Sequence, residues 1–571
     1  MTESQAYPSS TIDSESHASS SSPSSHPTSP SATADFPPSS TDETLTVSSS
    51  SLGAQAAQLK DQANKHFLAA QYEDAKTKYS ESLEMNPNDA KVWSNRAACE
   101  LKLEQHGLAI EDATKAIALD GSFSKAYYRR ASAYLSIVQP KKALPDLQYI
   151  LKLEPNNRQV QQQAQDVQKL IRRLAFAAAI RVEDGPSTSD TVIEQLKSGS
   201  GGSTVPDSYS GPRLGEVGEH GSYLGSISPE FINEMIEFFK KDANLPLRYV
   251  WQIILGAFRE LEKEGSLVDH YIAEGRTVKV IGDTHGQYFD FLHLLSLTGK
   301  PSPDNVLLFN GDWSDRGSKS MEIALTLFAY KWLYPESTLL TRGNHETDSM
   351  NQVYGFKDEV LAKCGGPTTY DLFKEVYLSL PLAFLLSGTQ EPATVEELPW
   401  DTPPLLGQRP ILSLDGRKRY FVTHGGLFAK DGVTLDDIRK VNRKLQPGTE
   451  GIMVDLLWAD PQATPGRAPS KRGVGSGFGP DITRAWCELN KVSGVIRSHE
   501  VRMDGWEYEH EGLCMTVFSA PRYCGSMENK GAFATIDAKG TIRVTRFEAV
   551  PESKNLPPMA YSNRGLGGML R

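Results

Sequence analysis

Three short apolar runs in this chain each end in a glycine-flanked group of carboxylate, imidazole or amide side chains. The runs are Val278 to Ile281, Val306 to Phe309 and Thr338 to Leu340. They lead into Gly282-Asp283-Thr284-His285-Gly286, into Gly311-Asp312-Trp313-Ser314-Asp315-Arg316-Gly317, and into Arg342-Gly343-Asn344-His345-Glu346. Short continuous apolar runs read as strands buried on both faces, the habit of parallel sheets. Donors placed just past such strands converge at one edge of a sheet. The mixture of Asp, His and Asn suits divalent transition metals such as manganese, iron or zinc. The triplet therefore points to two-metal hydrolysis of a phosphate ester.

A second constraint is a repeat. Ala63, Ala97 and Ala131 are 34 residues apart, as are Ala75, Ala109 and Ala143, and Leu83, Ile117 and Leu151. Pro87 and Pro155 lie two periods apart with Gly121 between them. This is the tetratricopeptide period, in which small residues let two antiparallel helices approach and Pro or Gly ends each unit. Three units over residues 54–161 are about the minimum for a stable stack. The helical pattern from Arg158 to Arg181 would cap the last of them.

Composition bounds the rest. A chain of 571 residues has room for two to four domains. Hydrophobic residues at 39% support real cores, and a net charge of −11 argues against nucleic-acid or membrane affinity. No apolar run reaches about 18 residues, so no spanning helix is expected. The N-terminus is Ser-rich and acidic, without the order of a secretory signal. Cys99, Cys364, Cys487, Cys514 and Cys524 are scattered and odd in number, which suits a reducing compartment. A cytoplasmic or nuclear monomer is expected.

Residues 1–52 are dominated by Ser, Thr and Pro and should be disordered. Residues 162–221 read as the capping helix and a Gly/Ser/Pro/Asp-rich linker. Residues 222–555 form the next domain. It opens with helical patterns (Glu230 to Lys241, Leu247 to Glu264), and from Thr277 apolar strands alternate with helices, so it is α/β. Later strands are expected at Tyr420 to Thr423, Gly494 to Arg497, Met515 to Ser519, Ala532 to Ile536 and Thr541 to Phe547. Residues 387–418 read as a Pro-rich surface loop, and residues 556–571 as a closing segment.

The three-part signature resembles that of the PPP family of serine/threonine protein phosphatases, and the repeats are similar to those of its tetratricopeptide-bearing branch. The resemblance implies a multidomain fold, an all-α tetratricopeptide solenoid plus an α/β metallophosphoesterase domain with a central β-sandwich flanked by helices. It implies two divalent ions per catalytic domain (manganese, iron, zinc or magnesium, with manganese serving in vitro) and phosphoserine and phosphothreonine proteins as substrates. Asp283, His285 and Asp312 would hold one ion. Asp312 would bridge to a second, held also by Asn344, His424 of Thr-His-Gly-Gly and His499 of Arg-Ser-His-Glu. Such a bridge sets two ions about 3.5–4 Å apart, and they lower the pKa of a shared water. Arg316 and Arg472 match arginines that grip the phosphate, a task suited to a planar guanidinium. Asn344, His345 and Tyr523 would also line the substrate site. His345, partnered by Asp315, is the expected acid for the leaving alkoxide.

The resemblance extends to the repeats. Lys60, Asn64, Asn95, Lys102, Lys125 and Arg129 match a carboxylate clamp for the acidic C-terminus of heat-shock protein 90. Glu104 matches an acid that reaches the phosphate-gripping arginine, here Arg316. The repeat domain would then cover the cleft until the clamp is occupied. Pro557 to Arg571 would help lock that state, although Gly565, Gly567 and Gly568 weaken a helix there. The chain departs from the family at Trp313-Ser314, at Arg522 and at Gly525, and residues 387–418 have no counterpart in shorter members. Arg522 would add a cation beside Tyr523 and so shift preference around the phosphosite, and Cys524, beside the site, reads first as a packing residue and only second as a reactive thiol.

Two other readings stand beside this one. Asp283 to Glu346 alone would serve a phosphoesterase acting on nucleotides or small phosphates, but Lys471-Arg472-Gly473 and Ser519-Ala520-Pro521 favour a protein phosphatase. A non-catalytic scaffold would require a lost ligand, and none is lost.

Overall fold

The computed structural model describes residues 49–179, 186–215, 223–389 and 416–555. Most of the Ser/Pro-rich tail, the greater part of the 387–418 loop and the closing 556–571 segment lie outside the described residues.

Six helices pair into three units: α1 (Ser49–Leu68) with α2 (Tyr72–Met85), α3 (Ala90–Lys102) with α4 (His106–Leu119), and α5 (Ser124–Ser136) with α6 (Pro140–Leu153). A seventh, α7 (Arg158–Ala179), packs on α6 and caps the stack. The periodic alanines at 63, 75, 97, 109, 131 and 143 are all fully buried, so the helices approach where no larger side chain fits. The period also carries polar ties. Arg96 donates to both carboxylate oxygens of Asp112 at 2.7 and 2.8 Å, and one period on Arg130 does the same to Asp146 at 2.9 and 2.7 Å. Each unit turns between its helices through one residue in the left-handed region: Ala70 (φ 59°), Glu104 (φ 59°) and Val138 (φ 53°).

Part of the expected linker is ordered against the next domain. Helix α8 (Thr188–Ser198) buries Val192 and Leu196, and the N–H and Oγ of Ser189 donate to Glu375 at 2.9 and 2.6 Å. Then come α9 (Pro229–Lys240), α10 (Leu247–Leu261), β1 (Leu267–Ile272), β2 (Thr277–Ile281), α11 (Tyr288–Thr298), β3 (Val306–Phe309), α12 (Ser320–Leu333) and β4 (Thr338–Leu340). Three helices, α13 (Asp348–Tyr354), α14 (Phe356–Cys364) and α15 (Pro367–Leu378), precede β5 (Ala383–Gly388) and β6 (Arg419–Thr423). The chain continues through α16 (Leu435–Arg439), α17 (Ile452–Trp458), β7 (Asp460–Pro461), β8 (Arg467–Pro469), β9 (Ser476–Phe478) and α18 (Pro480–Asn490). It ends in β10 (Gly494–Arg497), β11 (Trp506–Glu509), β12 (Cys514–Val517), β13 (Gly531–Asp537) and β14 (Ile542–Phe547).

These strands make a sandwich. One sheet has the order β14-β13-β2-β3-β4 and the other β1-β5-β6-β10-β12-β11, with a small β7-β9-β8 sheet beside them. The three motif strands pair in parallel, β2 with β3 and β3 with β4. Their unbroken apolar character follows from two buried faces. Val278, Val280, Leu308 and Leu339 point between the sheets, against Phe384, Val422, Ile496 and Met515. Ile281, Leu307, Phe309 and Leu340 face outward, under α9, α10, α11 and α12. Helices α16, α17 and α18 cover the outer face of the second sheet. Among the described residues no helix is long and apolar enough to cross a membrane.

Candidate metal centre and catalytic cleft

Six candidate metal ligands come together at one end of the sandwich. Asp283 and His285 follow β2, Asp312 follows β3 and Asn344 follows β4. From the second sheet, His424 directly follows β6 and His499 follows β10. Parallel β2-β3-β4 and parallel β6-β10 send their carboxyl ends to the same rim. The loops meet closely enough that glycine is required. A Cβ on Gly311 would lie 2.6 Å from Gly343 and 2.9 Å from His424 Nδ1. Five site residues sit in the left-handed region: His285 (φ 41°), Asp312 (52°), Asp315 (70°), Arg316 (66°) and His499 (71°). Such backbone costs about 1–3 kcal/mol per residue and gathers where function fixes side-chain direction.

Asp312 is the common member of two donor groups. His285, Asp312 and His345 offer atoms within 4.8 Å of one another, and so do Asp312, His424 and His499. His285 Nε2 lies 3.5 Å from Asp312 Oδ2 and 3.6 Å from Asp283 Oδ2. His424 Nε2 lies 3.2 Å from Asp312 Oδ2, 2.9 Å from Asn344 Oδ1 and 3.2 Å from His499 Nδ1. The other ring nitrogens are committed: His285 Nδ1 donates to the Ser314 carbonyl at 3.0 Å, and His424 Nδ1 to the Asn310 carbonyl at 2.8 Å. That leaves both Nε2 lone pairs facing the cluster, as metal-ligating histidines require. The donor set fits two divalent ions sharing the Asp312 carboxylate. Burial would raise that carboxyl, but the charges of His424 and His345 outweigh it and hold it well below the usual range. For His285, burial pulls the imidazole down, yet Asp283 and Asp312 prevail and raise it to about 9.

Around this cluster stand the candidate phosphate-binding and proton-transfer groups. His345 Nδ1 donates to Asp315 Oδ2 at 2.8 Å, and Asp315 is itself held by Asn351 Nδ2 and the Phe356 N–H, each at 2.9 Å. Arg316 lies 4.0 Å over the Tyr354 ring. Arg472 donates to Asp460 Oδ2 and to the His499 carbonyl, both at 2.7 Å. Tyr523 packs its ring 5.3 Å from His285. The Trp313-Ser314 departure is absorbed in the core: Trp313 is buried edge-on to Tyr377, and Ser314 Oγ meets the Tyr377 hydroxyl at 2.7 Å. Arg522 is exposed, and Gly525 takes the left-handed region (φ 69°). Burial pushes the Cys524 thiol up to about 11, which favours the packing role over a reactive one.

Two residues of the candidate site escaped the sequence reading. Glu346 accepts the N–H groups of Asp312, Gly343 and Ser314 at 2.7, 3.0 and 3.1 Å, binding two ligand loops together. It lay within the third motif but had no visible task. Asp460 joins Arg472 to the buried Arg497, and nothing local in the sequence marks it.

The second repeat reaches into the cleft. Glu104 Oε1 lies 2.6 Å from Arg316 Nη2 and accepts the Tyr523 hydroxyl at 3.2 Å, and Glu104 Oε2 lies 3.8 Å from Arg472 Nη1. Burial would raise the Glu104 carboxyl, but Arg316 and then Arg472 hold it at about 2. His106 follows it into the cleft, where burial pushes the imidazole down to about 3. The space left between Glu104, His106, Arg316, Arg472 and the ligands is about 10 Å³. Met350, Val353 and Tyr354 of α13 join the core of the third repeat, and the Tyr354 hydroxyl donates to the Ser136 carbonyl at 2.8 Å.

Five of the six clamp residues line two adjoining cavities. Asn64, Asn95 and Arg129 line one of about 270 Å³. Lys102, Lys125 and Arg129 line one of about 600 Å³ that also touches Glu104, Arg316 and Tyr523. Lys60 is instead ion-paired with Asp89 at 2.9 Å. Within the groove, Arg129 donates to Ser94 Oγ at 2.6 Å and Asn95 Oδ1 at 3.2 Å, and burial lowers it to about 10.

Comparison with known proteins agrees with this architecture. Residues 276–503 match the calcineurin-like phosphoesterase family, and residues 164–269 match the PPP5 TPR repeat region. The chain is 42% identical to serine/threonine-protein phosphatase T of Aspergillus oryzae, over 92% of this chain and 100% of that one. It is 40% identical to serine/threonine-protein phosphatase 5 of Homo sapiens, over 89% and 93% of the two chains. A solved protein serine/threonine phosphatase from Saccharomyces cerevisiae superposes with a TM-score of 0.51 at 37% identity, covering 59% of this chain and 100% of that one.

Proposed function

The chain belongs to the family of serine/threonine-protein phosphatases 5 and T and is a protein serine/threonine phosphatase, and from that premise we propose how its cleft works and how it is governed. Asp283, His285 and Asp312 would hold one divalent ion, and Asp312, Asn344, His424 and His499 would hold a second. When bound, the two ions polarise the phosphoryl oxygens and supply an activated water. The chain's own residues do the rest. Arg316 and Arg472 fix the phosphate by paired hydrogen bonds that strengthen as its charge grows. Asp460 and the His499 carbonyl hold Arg472 in place for this. His345, oriented through Nδ1 by Asp315, delivers a proton from Nε2 to the departing serine or threonine oxygen.

The observation that carries the reading is the seat of Glu104. An anionic side chain lies against Arg316 and near Arg472, above a cluster that shares Asp312. Two buried arginines converging on one carboxylate beside metal-type donors form a phosphate seat. Glu104 therefore acts as an internal phosphate mimic, and the closed arrangement represses turnover. An acidic peptide ending in a free carboxylate, such as that of heat-shock protein 90, enters the neighbouring groove at Asn64, Asn95, Lys102, Lys125 and Arg129 and favours opening. The test is a substrate panel in manganese, with and without a Met-Glu-Glu-Val-Asp peptide. Turnover of phosphoserine and phosphothreonine peptides that rises with the acidic peptide supports the reading. Selective turnover of nucleotides would overturn it.

A further inference from the structure

Glycine stands at position 107, in the first turn of α4, where the other two repeats carry Glu73 and Lys141. Both of those side chains are exposed. The Gly107 backbone is ordinary helix, so no left-handed conformation calls for glycine. Glycine inside a helix costs about 1 kcal/mol against alanine. The reason lies outside the repeat. A Cβ at 107 would stand 2.7 Å from Gly473 N, 2.8 Å from the Ser470 carbonyl oxygen and 3.0 Å from that of Lys471. All three are backbone atoms of the catalytic domain, in the loop that presents Arg472. The Gly107 N–H donates to the Lys471 carbonyl at 2.8 Å, and the Leu108 N–H to the same oxygen at 3.3 Å. First-turn amides have no acceptor within their own helix, and here the catalytic loop supplies one.

We propose that Gly107 is a backbone latch that docks the second repeat on the 470–473 loop. It is separable from the Glu104 ion pair, and its requirement is the absence of a side chain. The proposal rests on the closed, repressed reading of the cleft. The latch brings the Arg472 loop and the α4 N-terminus together, and Glu104, three residues upstream, is thereby delivered to Arg316. Equivalent positions in the first and third repeats face solvent and bear charge, so the close backbone approach at this position is made by the second repeat.

The experiment compares full-length wild type with Gly107→Ala, Lys141→Ala and Glu104→Gln, assaying phosphopeptide turnover in manganese without any activating peptide. Overpacking against fixed backbone is expected to raise basal kcat/KM of Gly107→Ala about tenfold. Lys141→Ala, at the same place in the third repeat, should leave it unchanged. A rise in Glu104→Gln with none in Gly107→Ala overturns the latch and keeps the repressed cleft. No rise in either overturns both. Hydrogen exchange in the wild type decides the matter even if Gly107→Ala folds poorly. Slow exchange at the Gly107 and Leu108 amides, faster in Glu104→Gln, supports the latch, and fast exchange in the wild type overturns it.

Discussion

Replacing Glu104 by Gln keeps the side chain's shape and removes its charge. The ordinary carboxyl near 4.5 is held at about 2 in the closed cleft. At about 1.4 kcal/mol per pH unit, ionised Glu104 favours closure by about 3 kcal/mol. Its side chain is 19% exposed and those of Arg316 and Arg472 are 8% exposed, so solvent screens the interaction little. The amide still accepts from Tyr523 and Arg316, which makes that figure a ceiling, and the expected shift in the opening equilibrium is about ten- to a hundredfold. In the proposed mechanism Glu104 and substrate compete for the same arginines. Closure therefore raises apparent KM by the inverse of the open fraction, and saturating substrate recovers full kcat. Glu104→Gln should lower the KM for a phosphothreonine peptide ten- to a hundredfold and leave kcat nearly unchanged. The sign of any pH effect follows from the lowered carboxyl. Its contribution to closure is complete above 4.5 and is lost as pH falls toward 2, so ionisation of Glu104 itself adds no pH dependence between about pH 5.5 and 8. An altered kcat at constant KM, or no change in either, would refute competition at the phosphate seat.

Three further outcomes are expected. His345→Asn should lower turnover of phosphoserine peptides by about 10²–10⁴, the usual worth of a positioned acid, and lower that of an activated aryl phosphate far less; equal losses would remove the acid role. Lys125→Ala should weaken binding of the acidic Met-Glu-Glu-Val-Asp peptide about tenfold in calorimetry, since a charge-assisted hydrogen bond is worth about 1.5–3 kcal/mol, and unchanged affinity would exclude Lys125 from the groove's contacts. His106 is held at about 3 in the closed cleft, among Glu104, Arg316, Arg472 and His345, against an ordinary 6.5. A lowered imidazole disfavours closure as pH falls below 6.5, so the closed-to-open ratio at pH 5.5 should lie about tenfold below its value at pH 7.5. Hydrogen exchange at Gly107 and Leu108 reads this without interference from the catalytic histidines, and His106→Phe should abolish it.

The candidate metal ligands stood out because each follows a short apolar strand within a few residues, and the family resemblance supplied their assignment to two ions. The repeats stood out because a 34-residue period places Ala63, Ala97 and Ala131 at equivalent helix crossings. Elements without a local period were harder to find. Strands β1 and β5 and helix α8 went unassigned, because a strand interrupted by Asp269 and His270, a short apolar run ending in Ser387-Gly388, and a helix inside a polar linker acquire structure only from what they pack against.

By itself the sequence determined which side chains could hold metal and phosphate, and that three helical units precede them. Tertiary structure alone decided the rest. Glu346 acquires its task only when β3 and β4 lie side by side, and Asp460 only when the Arg472 loop and β10 pack against β7. Glu104 meets Arg316 across more than two hundred residues, and Gly107 meets Lys471 across more than three hundred and sixty. Contacts of that span leave no periodicity behind. A glycine that looks like a weak helix residue is explained only by the backbone lying against it.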